Sequence, residues 1–213
     1  MTAVISEETR MRDSICAVGK SLFDRGLTAG STGNISARLG DGRLLMTPTN
    51  ASLGTLDPAR LSLFDADGTH VAGDRPTKEA FLHRCMYCER LGANAVVHLH
   101  STHAVAVSIL ADTDPEDALP PLTAYYAMRV GRLPLVPYYA PGDEALALAV
   151  KQEARRVHAV LLANHGPVVA GRSLLDAQYA MEELEETAKL HLMLHGRAVR
   201  PLSRAEADRL AGG

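Results

Sequence analysis

The pair His98 and His100, in the run Val96-Val97-His98-Leu99-His100-Ser101-Thr102-His103, constrains this chain more than any other stretch. The apolar residues around it read as a buried β-strand. Side chains alternate faces along a strand, so both imidazoles point one way while Leu99 points into the opposite layer. Two converging imidazoles are two of the three protein ligands that a divalent cation with an open position needs. The candidate third is His165 in Ala163-Asn164-His165-Gly166, which follows the apolar run Ala159-Val160-Leu161-Leu162 at the end of a second predicted strand. With nine histidines in 213 residues, a chance pair is the competing reading of the spacing.

Because 46% of the residues are hydrophobic and no break in composition divides the chain, a single domain over residues 1–213 with a full core is expected. A net charge of −3 with scattered Lys and Arg gives no footprint for nucleic acid. No apolar run approaches a membrane span, and residues 1–12 are polar and acidic, so a cytoplasmic protein without a membrane partner is expected. Three cysteines cannot all pair within the chain, and Cys85 and Cys88, with no second pair, read as small apolar filler.

Residues 6–25 carry Met11, Ile15, Val18 and Leu22 at helical spacing, with Glu7 and Glu8 suited to the first turn and Gly26 to the end. Gly30-Ser31-Thr32-Gly33-Asn34-Ile35-Ser36 is either a phosphate cradle or a plain turn leading into a strand. Asp41-Gly42 and Asp65-Ala66-Asp67-Gly68 each sit between strand-like runs, so two hairpins and an antiparallel start to the sheet are expected. Pro76-Thr77-Lys78-Glu79 opens a helix with Phe81, Leu82, Cys85 and Met86 as its buried side. Glu79 there is either a solvated partner of the helix dipole or a catalytic carboxylate. Tyr125 and Tyr126 read as packing residues or as a general acid. A strand over 133–138, a helix over 144–156, a strand over 157–163, a segment at 168–170 that extends the sheet and a long helix over 173–194 complete the pattern, with Arg200-Pro201 opening a tail. The glutamates at 182, 183, 185 and 186 read as the solvated face of that last helix.

Gly33-Asn34-Ile35-Ser36, Thr47-Pro48-Thr49, Pro76-Thr77-Lys78-Glu79, His98-Leu99-His100 and Asn164-His165-Gly166, taken in this order, resemble the class II aldolase/adducin family across nearly the whole chain. The resemblance implies an α/β fold, a three-layer α/β/α domain with a mainly antiparallel central sheet. It also implies a homotetramer with active sites at subunit edges. By it, His98, His100 and His165 are metal ligands for one Zn2+ per subunit, with Mn2+, Co2+ or Ni2+ as substitutes. Glu79 is the acid/base that also approaches the metal, and a catalytic tyrosine falls at Tyr125 or Tyr126. Gly33, Asn34, Thr49, Asn50, Thr77 and Lys78 fall where the family's aldolases bind the substrate phosphate. Two departures stand out. Asn50 occupies a position where the aldolases commonly carry glycine, and Thr77-Lys78 replaces a pair of serines, adding a cation to the phosphate pocket.

Leu119-Pro120-Pro121-Leu122-Thr123-Ala124-Tyr125-Tyr126, the run from Pro76 through His83 and the run from Glu182 through Lys189 resemble the family's 3-oxo-tetronate 4-phosphate decarboxylase branch. The expected activity is therefore loss of carbon dioxide from a small phosphorylated sugar acid through an enediolate whose charge a cation can carry. The alternatives on the same scaffold are a sugar-phosphate aldolase, an epimerase or a dehydratase, or a non-catalytic adducin-like interaction domain. An intact histidine triad with Glu79 speaks against the last.

Overall fold

Alternate residues of the central strands enter two separate apolar clusters, and this alternation organises the molecule. The structure is a computed structural model that describes residues 5–140 and 143–211. The strands are β1 Asn34–Arg38, β2 Leu44–Met46, β3 Ser62–Phe64, β4 His70–Ala72, β5 Ala95–His98, β6 Leu135–Val136, β7 Ala159–Leu162 and β8 Gly166–Gly171. They form one sheet in the order β4-β3-β2-β1-β5-β8-β7-β6. The expected hairpins are the β1–β2 and β3–β4 pairs. The sheet is mixed, because β6 and β7 run parallel while the other pairs are antiparallel. The strand expected over 133–138 shrinks to Leu135–Val136, since Pro134 and Pro137 on either side have no N–H to donate to a ladder.

Val97 of β5 and Val169 of β8 join Ile35, Leu99 and Leu161 in one cluster, while Val96, Val160, Leu162, Val168 and Ala170 join the other. The first cluster is completed by α1 Glu7–Asp24, α3 Thr102–Ile109 and α6 Leu174–Leu194, through residues such as Ile15, Val107 and Met181. The second is completed by α2 Ala80–Glu89 and α5 Glu144–Ala154, through Leu82, Met86, Leu146 and Val150. Ile15 and Leu22 of the expected α1 stripe are wholly buried, and burying such a side chain is worth about 1.5–3 kcal/mol each. Side chains cap the helices as their residue types dictate: Ser6, Asp143 and Ser173 accept from backbone N–H groups of α1, α5 and α6. Pro141 and Gly142, which precede α5 in the sequence, lie outside the described residues.

Two helices depart from the sequence expectation. α4 Ala124–Arg129 forms in the proline-marked segment, capped by Thr123. α7 Arg204–Ala211 forms in the expected tail, held against the body by buried Ala207 and by an Arg204–Asp117 ion pair. The acidic face of α6 is also divided. Glu185 is buried and accepts from the backbone N–H groups of His103 and Ala104, capping α3 where Ser101 makes no side-chain cap.

Candidate active site

His98 ends β5, and the pleat turns it away from Leu99, which is fully buried in the opposite cluster. His98 Nδ1 donates to the Pro167 carbonyl of the neighbouring strand at 2.8 Å. That bond places the proton of a neutral ring on Nδ1 and leaves the Nε2 lone pair facing out of the sheet. His100 lies just past the strand end, and His165 sits in the tight turn between β7 and β8. The two glycines of the site motifs are sterically required. A Cβ on Gly33 (φ +80°) would lie 3.0 Å from the His98 carbonyl oxygen, and one on Gly166 (φ +149°) would lie 2.2 Å from the Leu99 carbonyl oxygen. Glycine therefore lets the chain close on both sides of the β5 terminus.

The three rings meet. His165 Nε2 is 3.3 Å from His98 Nε2 and 3.1 Å from His100 Nε2. Glu79 completes the group, with Oε1 2.9 Å from His165 Nε2 and Oε2 3.4 Å from His98 Nε2. All four ligand atoms lie within 4.8 Å of one another. A tetrahedral cation with bonds of about 2.0–2.1 Å separates its ligand nitrogens by roughly 3.3 Å, so the donor set fits such an ion in chemistry and in spacing. Burial and the neighbouring His98 and His165 push the His100 imidazole down to about 4, so its lone pair is free at neutral pH. Burial opposes ionisation of Glu79, but His98 and His165 outweigh it and hold the carboxyl well below the usual range.

Glu79 occupies the N-cap position of α2 yet makes no side-chain cap bond to that helix. Its carboxylate is turned to the histidines instead. The expected cap, Thr77, accepts from the Glu79 N–H at 3.3 Å, one turn before α2 begins. Asn34 pairs with His98 across β1 and β5, and its side chain donates to Glu79 Oε2 at 2.7 Å. The Asn34 side chain, expected at the phosphate, is thus engaged by Glu79 and by His83. Thr49 N–H donates to the Arg75 carbonyl and Thr77 N–H to the Thr47 carbonyl, which joins the loops bearing Thr49, Asn50, Thr77 and Lys78 beside Glu79. Lys78 is exposed and forms no ion pair among the described residues. A cavity of about 240 Å³ next to Thr49 and Asn50 is also lined by Arg60, which is paired with Asp74 at 2.6 Å.

Neither tyrosine reaches the cluster within one chain. Tyr126 is wholly buried among core residues, its hydroxyl without a partner, which removes it as a general acid toward a substrate. Tyr125 is 63% exposed and lines a cavity of about 710 Å³ with Gly92 and Gly171, at the end of β5 and β8 remote from His98. Among polar residues the sequence reading passed over, His83 and Tyr87 of α2 are buried against Asn34 and Ser36 of β1. Their signal was the four-residue spacing of Glu79, His83 and Tyr87, which puts all three on one helix face.

Residues 13–192 match the family described as Class II Aldolase and Adducin N-terminal domain. The chain belongs to the class II aldolase/adducin family. Within that family it is 51% identical over 190 residues to a Cupriavidus necator protein named 3-oxo-tetronate 4-phosphate decarboxylase, covering 89% of this chain and 87% of the relative. It is 35% identical over 175 residues to the L-fuculose phosphate aldolase of Methanocaldococcus jannaschii, covering 82% and 91%. The crystal structure of YgbL from Escherichia coli, described as a candidate aldolase, epimerase or decarboxylase, superposes with a TM-score of 0.93 at 46% identity, covering 97% of this chain and all of that one. Among the described residues, no helix of this family member is long and apolar enough to cross a membrane.

Proposed function

We propose that the protein removes carbon dioxide from a 3-oxo-tetronate 4-phosphate and gives dihydroxyacetone phosphate. The observation that carries this reading is 51% identity, over 89% of the chain, to a relative named for that reaction. The substrate is a β-keto acid, so the C1–C2 bond breaks, the carboxylate leaves as carbon dioxide and the electron pair stays across C2 and C3 as an enediolate. A divalent cation, when bound by His98, His100 and His165, supplies Lewis-acid stabilisation of that charge. Glu79, held by Asn34 and with a side chain 23% exposed, relays a proton from solvent to C2. The C3 carbonyl re-forms.

The finer parts of the reading have separate supports. Zinc, with manganese, cobalt or nickel as substitutes, suits a donor set of three imidazoles. The apolar clusters served by different helices support a three-layer α/β/α arrangement and one domain over residues 1–213. Leu91, Tyr125 and Met128 are exposed around one cavity, which supports burial there in a homotetramer, to be checked by sedimentation. In such an assembly Tyr125 is the tyrosine free to serve a neighbouring subunit's site, and Tyr125→Phe should slow turnover while leaving bound metal unchanged. A cytoplasmic location follows from this metabolic role and is tested by cell fractionation.

Gly33, Thr49, Asn50, Thr77 and Lys78 hold the phosphate, and Lys78 brings the charge. Lys78→Ala should weaken binding of phosphorylated ligands roughly tenfold, the size of one charge-assisted hydrogen bond, and leave their dephosphorylated counterparts unaffected. Equal weakening of both in calorimetric titrations would make Lys78 a structural residue.

The test of the reaction itself is product analysis with 3-oxo-tetronate 4-phosphate. Carbon dioxide and dihydroxyacetone phosphate should appear together, in one direction only, and a chelator should stop both. Efficient and reversible aldol cleavage of a sugar phosphate, with no carbon dioxide release, would instead select the aldolase chemistry named for the 35%-identical relative.

A further inference from the structure

Four polar side chains run in single file beneath Glu79. Tyr87 OH lies 2.8 Å from Ser36 Oγ, which lies 2.7 Å from His83 Nδ1. His83 Nε2 lies 2.5 Å from Asn34 Oδ1, and Asn34 Nδ2 lies 2.7 Å from Glu79 Oε2. The file is a zipper between two elements. Glu79, His83 and Tyr87 recur every four residues from the N-cap of α2 onward, while Asn34 and Ser36 alternate on β1, and the two repeats match at about 6–7 Å per step.

Hydrogen-bond chemistry allows one direction along this file. An ionised carboxylate only accepts, so Asn34 turns its NH2 to Glu79 and its carbonyl to His83. That carbonyl requires a proton on His83 Nε2. A neutral ring then presents a lone pair at Nδ1, which accepts a hydrogen bond from the Ser36 hydroxyl, and Ser36 Oγ accepts one from the Tyr87 hydroxyl. Reversing every bond would set the Asn34 oxygen against the carboxylate with no proton between them. His83 and Ser36 are fully buried and Tyr87 nearly so, which keeps water from supplying substitute partners. The Arg38 guanidinium covers the Tyr87 ring at 4.7 Å and closes the far end.

We propose that His83 is a positioning residue for Glu79, acting through Asn34 in a one-way chain from Tyr87 that fixes the carboxylate's orientation at the histidine cluster. The proposal rests on the catalytic reading of Glu79. It assigns His83 a single tautomer, with the proton on Nε2, which can be observed without measuring turnover.

The experiment combines nitrogen-15 NMR of histidine-labelled, metal-loaded protein with kinetics of variants. The His83 ring, assigned by its loss in His83→Gln, should show a protonated Nε2 and a bare Nδ1 at neutral pH. A proton on Nδ1, or on both nitrogens, overturns the chain, and this measurement needs no variant to be active. His83→Leu should lower kcat by about 10- to 100-fold with KM and bound metal little changed. His83→Gln, whose amide can donate to Asn34 and accept from Ser36, should recover most of that loss. Wild-type turnover in His83→Leu alongside an inactive Glu79→Gln sinks this proposal alone. Wild-type turnover in Glu79→Gln sinks the reading of Glu79, and this proposal with it.

Discussion

Replacing His98, His100 or His165 by alanine should abolish stoichiometric metal binding and with it turnover. Each ring supplies one of three nitrogens that meet within hydrogen-bonding distance of a neighbour, and no other residue in the group offers a fourth imidazole. Losing the cation removes several kcal/mol of charge stabilisation, and at about 1.4 kcal/mol per factor of ten the rate should fall by about a thousandfold or more. His98→Ala should show the largest loss of affinity, because its bond to the Pro167 carbonyl makes it the ring most firmly oriented before a metal arrives. Metal analysis after dialysis, beside turnover with added zinc, makes the measurement. Full metal retained at wild-type affinity in all three variants would remove the site.

The sheet was legible because its central strands are buried on both faces and carry continuous apolar runs that only a covered strand tolerates. Residues 95–97 and 159–162 are such runs, and both lie in strands. The edge was less legible. Prolines at 134 and 137 leave only two residues able to pair, so the segment's apolar character overstated its length. α7 was missed because it is short, half of its residues are charged and only Ala207 is buried, so what holds it is contact with α4 and the Arg204–Asp117 pair, which no local spacing reveals.

The histidine cluster was legible for the opposite reason, namely that alternation in β5 and the position of His165 at a strand end are local facts. What surrounds it was not. Asn34 sits opposite His98 only because β1 and β5 pair in that register, and no spacing within the sequence reveals a register between segments more than sixty residues apart. His83 and Tyr87 were hidden by polarity. The stripe expected on α2 contained Phe81 and Cys85, whereas the helix is rotated to bury His83 and Tyr87 because Ser36 and Asn34 satisfy them. A buried polar group left without a partner costs about 1–3 kcal/mol, so the rotation is possible only with both partners in place. The two tyrosines show the same limit. Adjacent residues on α4 differ from full burial to 63% exposure, and that difference selects between them.

Glu79→Gln should leave a folded protein with its metal and remove about 100- to 10,000-fold of the turnover, the range a positioned acid/base contributes. The substitution keeps the side chain's size and its ability to accept from Asn34, while taking away the group that carries the proton. Two functions compete for a glutamate at a helix start, and the geometry separates them. A partner of the helix dipole turns its carboxylate to the first free N–H groups, but Glu79 makes no cap bond to α2 and lies 2.9 Å from His165 instead. Loss of the helix role would lower stability by a fraction of a kcal/mol and leave kcat intact; loss of the chemical role would do the reverse. Thermal unfolding and kcat, measured on one preparation with metal content known, therefore give different answers for the two. Unchanged turnover with a lowered melting temperature would return Glu79 to the helix. A collapse of kcat at wild-type stability and metal content would leave the proton as the only thing the glutamine cannot carry.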